Sequence, residues 1–224
     1  MNAREEIFTA VKAGDVEKVE SLIRLDPELK QAVAENGDTL LLTAVYHGVR
    51  LVVDYLRYNG VAMNIHEAAA VGDLEIVERH LETAPELLDS FSHDGWTPLH
   101  LAAHFGNALI ARHLLSCGAD VNIRSRNSLN NIPLHAAVAG KSPYKLAELL
   151  LASGAEVNAK QQGGYTPLHE AVINEDRQTA GLLMGHGADP RLANDKGETA
   201  LTIAESKGNA ALLELLCSGR ADLQ

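Results

Sequence analysis

The chain has 224 residues and a formal net charge of −11, with 19 basic side chains against 30 acidic ones. An acidic surface repels phosphate backbones, which argues against nucleic acid as a partner. No apolar run approaches the length needed to span a membrane, and Met1-Asn2-Ala3-Arg4-Glu5-Glu6 lacks an apolar signal core.

The two cysteines, Cys117 and Cys217, lie a hundred residues apart near the ends of separate apolar runs. They argue for a reduced, cytoplasmic protein rather than a disulfide framework. The charge is uneven: residues 1–94 hold 18 acids and 8 bases, while 95–224 hold 12 and 11. The bland reading of the acidic half is a solvated face, and the sharper one is steering of a basic partner.

In chain order, seven similar units follow one another. In the first, about 3–36, Ile7, Ala10 and Val11 mark one helix, Gly14-Asp15 a turn, and Val16, Val19, Leu22 and Ile23 a second helix. The charges on its first helix (Arg4, Glu5, Glu6, Lys12) suit a capping unit whose outer side meets water.

The second unit, about 37–62, opens at Gly37-Asp38-Thr39, turns at Gly48, and returns through Leu51–Leu56. Gly72 then follows after only 24 residues, where Gly48 follows Gly14 by 34. The run Ile65-His66-Glu67-Ala68-Ala69-Ala70 starts almost directly after Asn59-Gly60. No room is left for an outward hairpin, so the spacing predicts a missing finger and a notch.

The third unit, about 63–94, echoes the first at a constant offset of 58. Gly72-Asp73 matches Gly14-Asp15, and Ala84-Pro85-Glu86-Leu87 matches Asp26-Pro27-Glu28-Leu29. A duplicated two-unit block accounts for this.

The fourth unit, about 95–127, is the most regular. Thr97 is a good N-cap and Pro98 suits the first helical position. Leu99, Ala102 and Ala103 give a short helix with a small-residue side, and Gly106 ends it. Leu109–Leu115 returns, Gly118 ends that helix, and Ala119-Asp120-Val121-Asn122 leads outward. Units at about 128–161, 162–194 and 195–224 repeat the plan, with starts at Thr97, Ile132, Thr166 and Thr199 spaced by 35, 34 and 33. The last unit, with Glu205, Ser206 and Lys207 in place of small or apolar residues and a polar tail after its return helix, reads as a C-terminal cap. Neither helix of a unit can bury its apolar face alone, so stacked copies supply the core.

The pattern Gly-x-Thr-Pro-Leu-His-x-Ala-Ala, then Gly, then Leu-Leu-x-x-Gly-Ala-Asp-Val-Asn resembles the ankyrin repeat. A tetratricopeptide repeat has a similar period but lacks both the Thr-Pro-Leu-His start and the Gly-Ala-Asp hairpin. The resemblance implies an all-α solenoid of antiparallel helix pairs with outward β-hairpin loops, read here as a single domain over 1–224. It also implies that His100, His135 and His169, with Thr97 and Thr166, are structural, the histidine bonding to the threonine and to the neighbouring repeat's backbone. His66 is read as the equivalent histidine of the third unit.

What the resemblance implies about function is a non-catalytic scaffold that binds another protein on a concave surface of hairpins and first helices. The family's contact positions map to Trp96, His93, Asp94, His104 and Phe105, to Asp38, Tyr46 and His47, and to Tyr165, Ile173 and Asn174. Exposed aromatics beside charges make binding hot spots, so units four to six are the expected centre. The competing reading packs Trp96 and Phe105 onto adjacent hairpins.

No enzyme chemistry is legible. Gly140-Lys141-Ser142 is not a phosphate loop, because His135 stands where the earlier glycine belongs. His100 and His104 are spaced for metal, yet His100 should point inward and no third ligand is evident. No metal and no cofactor are expected, and a monomer is the expected state. The alternatives are a regulatory or inhibitory subunit of a specific enzyme, or a small-ligand or metal-binding protein.

Overall fold

The computed structural model describes residues 2–218; the end of the polar tail of the last repeat, 219–224, lies outside them. Among the described residues the chain is helical throughout, with fourteen α-helices and no strands. Packing gathers it into two compact units, one ending at Thr83 and the other beginning at Ala84.

The first unit holds α1 (Ala3–Ala13), α2 (Val16–Leu25), α3 (Leu40–Tyr46), α4 (Arg50–Tyr58), α5 (Ile65–Val71) and α6 (Leu74–Thr83). These are three antiparallel pairs. Gly14 and Gly72 close α1 and α5 in left-handed geometry, which glycine adopts without a Cβ penalty. Ile7, Val11, Val19, Leu22, Leu40, Leu41, Ala44, Val52 and Leu56 form one buried cluster. α1 packs on α3 and α3 on α5, while α2 packs on α4. The apolar periodicity thus places first helices in one row and return helices in another.

A hairpin joins α2 to α3. It begins with a 3-10 turn at Pro27–Gln31 and closes with a single antiparallel bridge between Val33 and Thr39. Between α4 and α5 there is no such hairpin, only residues 59–64. Val61 N–H donates to Leu56 O at 3.1 Å, and the Lys30 ammonium donates to Asn59 O at 3.2 Å. The connection therefore lies low against the helix ends.

The second unit holds α7 (Pro98–Phe105), α8 (Ala108–Ser116), α9 (Pro133–Val138), α10 (Pro143–Ala152), α11 (Pro167–Ile173), α12 (Arg177–Gly185), α13 (Ala200–Ser206) and α14 (Ala210–Ser218). α7 packs on α9, α9 on α11 and α11 on α13. Fully buried alanines at 102, 103, 137 and 171 let these helices approach closely. Successive hairpins are joined by backbone bonds: Arg126 N–H to Gly95 O (2.8 Å), Gln162 N–H to Leu129 O (2.8 Å) and Asp195 N–H to Gly163 O (2.9 Å). Asn122 and Asn158 each bridge to the next repeat, donating to Gly154 O and Gly187 O and accepting from the Glu156 and Asp189 amides.

Candidate functional site

The first helices begin on a repeated device. In α7 the Thr97 side chain caps the helix, and its oxygen lies 2.8 Å from His100 Nδ1. The other ring nitrogen, Nε2, is 3.1 Å from Asn131 O, one repeat further on. A carbonyl only accepts, so Nε2 carries the proton, and because Nδ1 accepts from the Thr97 amide at 3.4 Å the ring is neutral. His169 repeats this with Thr166 (2.8 Å) and Glu198 O (3.2 Å). His135 bonds to Tyr165 O at 3.3 Å, but its cap position is Ile132, which offers only a backbone N–H at 3.4 Å. Burial pushes His100 and His135 down to about 4, partly opposed by their carbonyl partners, and lowers His169 in the same way. All three rings are committed to structure.

The third repeat departs from the sequence reading. Its N-cap is Asn64, so the residue three positions into the helix is Glu67, and His66 is not the equivalent histidine. Glu67 is buried. Its carboxylate accepts from the Asn64 amide at 2.8 Å and from the Thr39 hydroxyl. A histidine here reaches forward to the next repeat, whereas this carboxylate reaches back to the previous one.

The expected aromatic hot spot is also corrected. Trp96 is 9 % exposed and Phe105 8 %. The half-buried His104 ring lies edge-on to both, 5.1 Å from Trp96 and 5.0 Å from Phe105. The reason is the Gly140–Pro143 turn, which crosses the end of α7. Lys141 N–H donates to His104 O at 2.9 Å, and the Lys141 ammonium sits 5.1 Å from the Phe105 ring. Burial lowers His104 as well, with Lys141 adding to the effect. Of this group His93 is exposed and Asp94 partly so. In the sixth repeat Asn174 is exposed, while Tyr165 and Ile173 are half-buried, Tyr165 lying edge-on to His169.

The residues expected in the second repeat do come together. Asp38, Tyr46 and His47 line an open groove of about 720 Å³ in the first unit. Its other walls are Asn2, which caps α1, Arg4, Glu5, Phe8, Thr9 and Lys12 from α1, Ala34–Asn36 from the hairpin and Thr43 from α3. Phe8 is buried, whereas Tyr46 is 39 % exposed. The Arg4 guanidinium is anchored on Val33 O. The groove therefore offers aromatic surface within a rim of both charge signs. The α1 residues escape the sequence pattern because the first repeat lacks Thr-Pro-Leu-His and the charges on its first helix suit a cap. Lys12, directly after Val11, was the available signal.

Among the described residues, no three metal-ligating side chains are grouped to hold an ion, and no helix is long and apolar enough to cross a membrane.

Short helix pairs stacked row on row, mostly joined by hairpins and tied to the next repeat by buried histidines at three helix starts, define a stacked-repeat protein. The chain belongs to the ankyrin-repeat family, matching "Ankyrin repeats (3 copies)" over residues 65–161 and again over 134–224. Such repeats form protein–protein interaction modules. The chain is 30 % identical over 156 residues to Target of rapamycin complex 2 subunit AVO2 of Saccharomyces cerevisiae, covering 69 % of this chain and 37 % of that protein. It is 28 % identical over 204 residues to the tyrosine-protein kinase Shark of Drosophila melanogaster (80 % and 21 %). It is 31 % identical over 159 residues to human SH3 and multiple ankyrin repeat domains protein 2 (70 % and 8 %). In each case this chain spans less than half of the relative's length.

Proposed function

We propose that this chain is a non-catalytic module that holds another protein, with the groove of the first unit as its principal contact surface. The observation that carries this is the grouping of Phe8, Tyr46, His47, Asp38 and Lys12 around one open groove. An exposed tyrosine beside charged groups supplies anchor area at low entropic cost. The surface is built by packed helices, so little order has to be gained on binding. His93, Asp94 and Asn174 of the second unit are secondary contacts in this reading. The likeness to a complex subunit and to a multi-domain protein named for its ankyrin repeats supports a holding role.

The test is affinity purification from source-cell lysate, followed by titration with the purified partner. Tyr46→Ala/His47→Ala is expected to keep its helical signal and lose about tenfold or more in affinity. Unchanged affinity would remove the groove from the proposal.

A further inference from the structure

The 26–38 hairpin has a counterpart elsewhere in the chain. At the offset of 58, Pro27–Gln31 matches the 3-10 turn Pro85–Asp89, and Asn36 and Gly37 match Asp94 and Gly95. The 84–95 hairpin is covered by the segment around Arg126 and Asn127, one repeat further on. Arg126 N–H donates to Gly95 O at 2.8 Å, Asn127 Nδ2 donates to Asp94 O at 3.0 Å, and the Arg126 guanidinium lies 4.0 Å from the Phe91 ring. At the 26–38 hairpin the equivalent carbonyls, Asn36 O and Gly37 O, receive no hydrogen bond among the described residues. The cause is the shortened connection 59–64. The last hairpin, around Asn194–Glu198, is followed among the described residues by one helix pair, α13 with α14, whereas the 26–38 hairpin is followed by α3 with α4 and then α5 with α6, with no finger between those two pairs.

The side chains on this edge carry one more negative charge than their counterparts. Glu35 stands where His93 does and Asp38 where Trp96 does, while Asn36 stands where Asp94 does. Glu35 is exposed and makes no ion pair among the described residues. The first unit as a whole carries 15 acids and 8 bases through Thr83.

We propose that the open edge of the 26–38 hairpin is a docking strip for an extended, arginine-bearing segment of a partner protein, which takes the place of the missing finger. Its backbone N–H donates to Gly37 O, a side-chain amide or further N–H donates to Asn36 O, and its guanidinium meets Glu35. The backbone and amide contacts are those that Arg126 and Asn127 make within the chain, while the guanidinium, which lies over Phe91 there, meets a carboxylate here because Val33 stands in place of that ring. The strip shares Glu35, Asn36 and Asp38 with the groove but does not depend on Tyr46 or His47, so either surface can fail without the other.

The probe is the chain's own covering segment, a capped synthetic peptide of Asn122–Asn131 carrying Arg124 and Arg126, titrated into isotope-labelled full chain and followed by amide chemical shifts. Shifts concentrated at 34–38 are expected, and they should persist in Tyr46→Ala. A peptide with Arg124→Glu and Arg126→Glu should bind about tenfold weaker, and Glu35→Lys in the protein should reverse that preference. No shifts at 34–38 with millimolar peptide, shifts confined to α1 and α3, or equal binding of both peptides would each overturn the proposal.

Discussion

His100 Nε2 lies 3.1 Å from Asn131 O, so one ring proton ties the start of a helix to the hairpin of the following repeat. The same tie recurs from His135 to Tyr165 and from His169 to Glu198. Each requires a neutral ring that keeps its Nε2 proton and accepts at Nδ1.

That requirement gives the fold a pH limit. His100 and His135 fall from 6.5 to about 4 on folding. A lowered histidine favours the folded state in its neutral form. The contribution is therefore complete above about pH 6.5 and is lost as pH falls towards 4. Between pH 7 and pH 5 each ring should remove about 1–2 kcal/mol of stability. Urea unfolding at the two pH values measures this, together with net proton uptake on unfolding. A flat stability profile over that interval would contradict it.

Burial of Trp96 and Phe105 changes what their substitution means. Trp96→Ala or Phe105→Ala should cost about 3 kcal/mol through cavity formation. Tyr46→Ala, at an exposed position, should stay within about 1 kcal/mol. Thermal melts of the three variants separate the cases, and loss of binding by Trp96→Ala would first have to be corrected for loss of fold.

Two glycines give a sharper contrast. A Cβ on Gly140 would lie 2.3 Å from His104 O, a backbone atom that cannot step aside. A Cβ on Gly154 meets nothing, although its φ of +91° is one that alanine resists. Gly140→Ala should cost about 2–4 kcal/mol by steric overlap. Gly154→Ala should cost about 1 kcal/mol through backbone conformation alone. Urea midpoints of the two variants test the order, and equal costs would mean that the Gly140 turn moves away from α7.

Repeat period, helix pairing and the absent finger were legible because they follow from spacing: glycine stops, Thr-Pro starts and the 24-residue interval fix them locally. Asp38, Tyr46 and His47 were legible by their place in the repeat. The aromatic pair was not. Whether Trp96 and Phe105 face solvent depends on the path of the Gly140–Pro143 turn, which lies more than thirty residues away in sequence. His66 was misplaced because asparagine can cap as well as threonine, and choosing Asn64 shifts the register by one residue.

That shift leaves Glu67 as the residue to test. One oxygen takes the Asn64 amide and the other the Thr39 hydroxyl, which also caps α3 by accepting from the Leu42 amide at 3.2 Å. Glu67→Ala strips two donors of their acceptor at a buried position and should cost about 2–3 kcal/mol. Glu67→Gln retains one acceptor oxygen without the charge and should cost about 1 kcal/mol. A double-mutant cycle with Thr39→Val should give a coupling of about 1 kcal/mol, since the two side chains share one bond. Because that bond joins the N-termini of α3 and α5, the alanine variant should also weaken binding through the groove wall that Thr43 and Tyr46 provide. Glu67→Ala unfolding in urea within 0.5 kcal/mol of the wild type, roughly the scatter of a surface change, would mean that the buried carboxylate does not hold the two helices together.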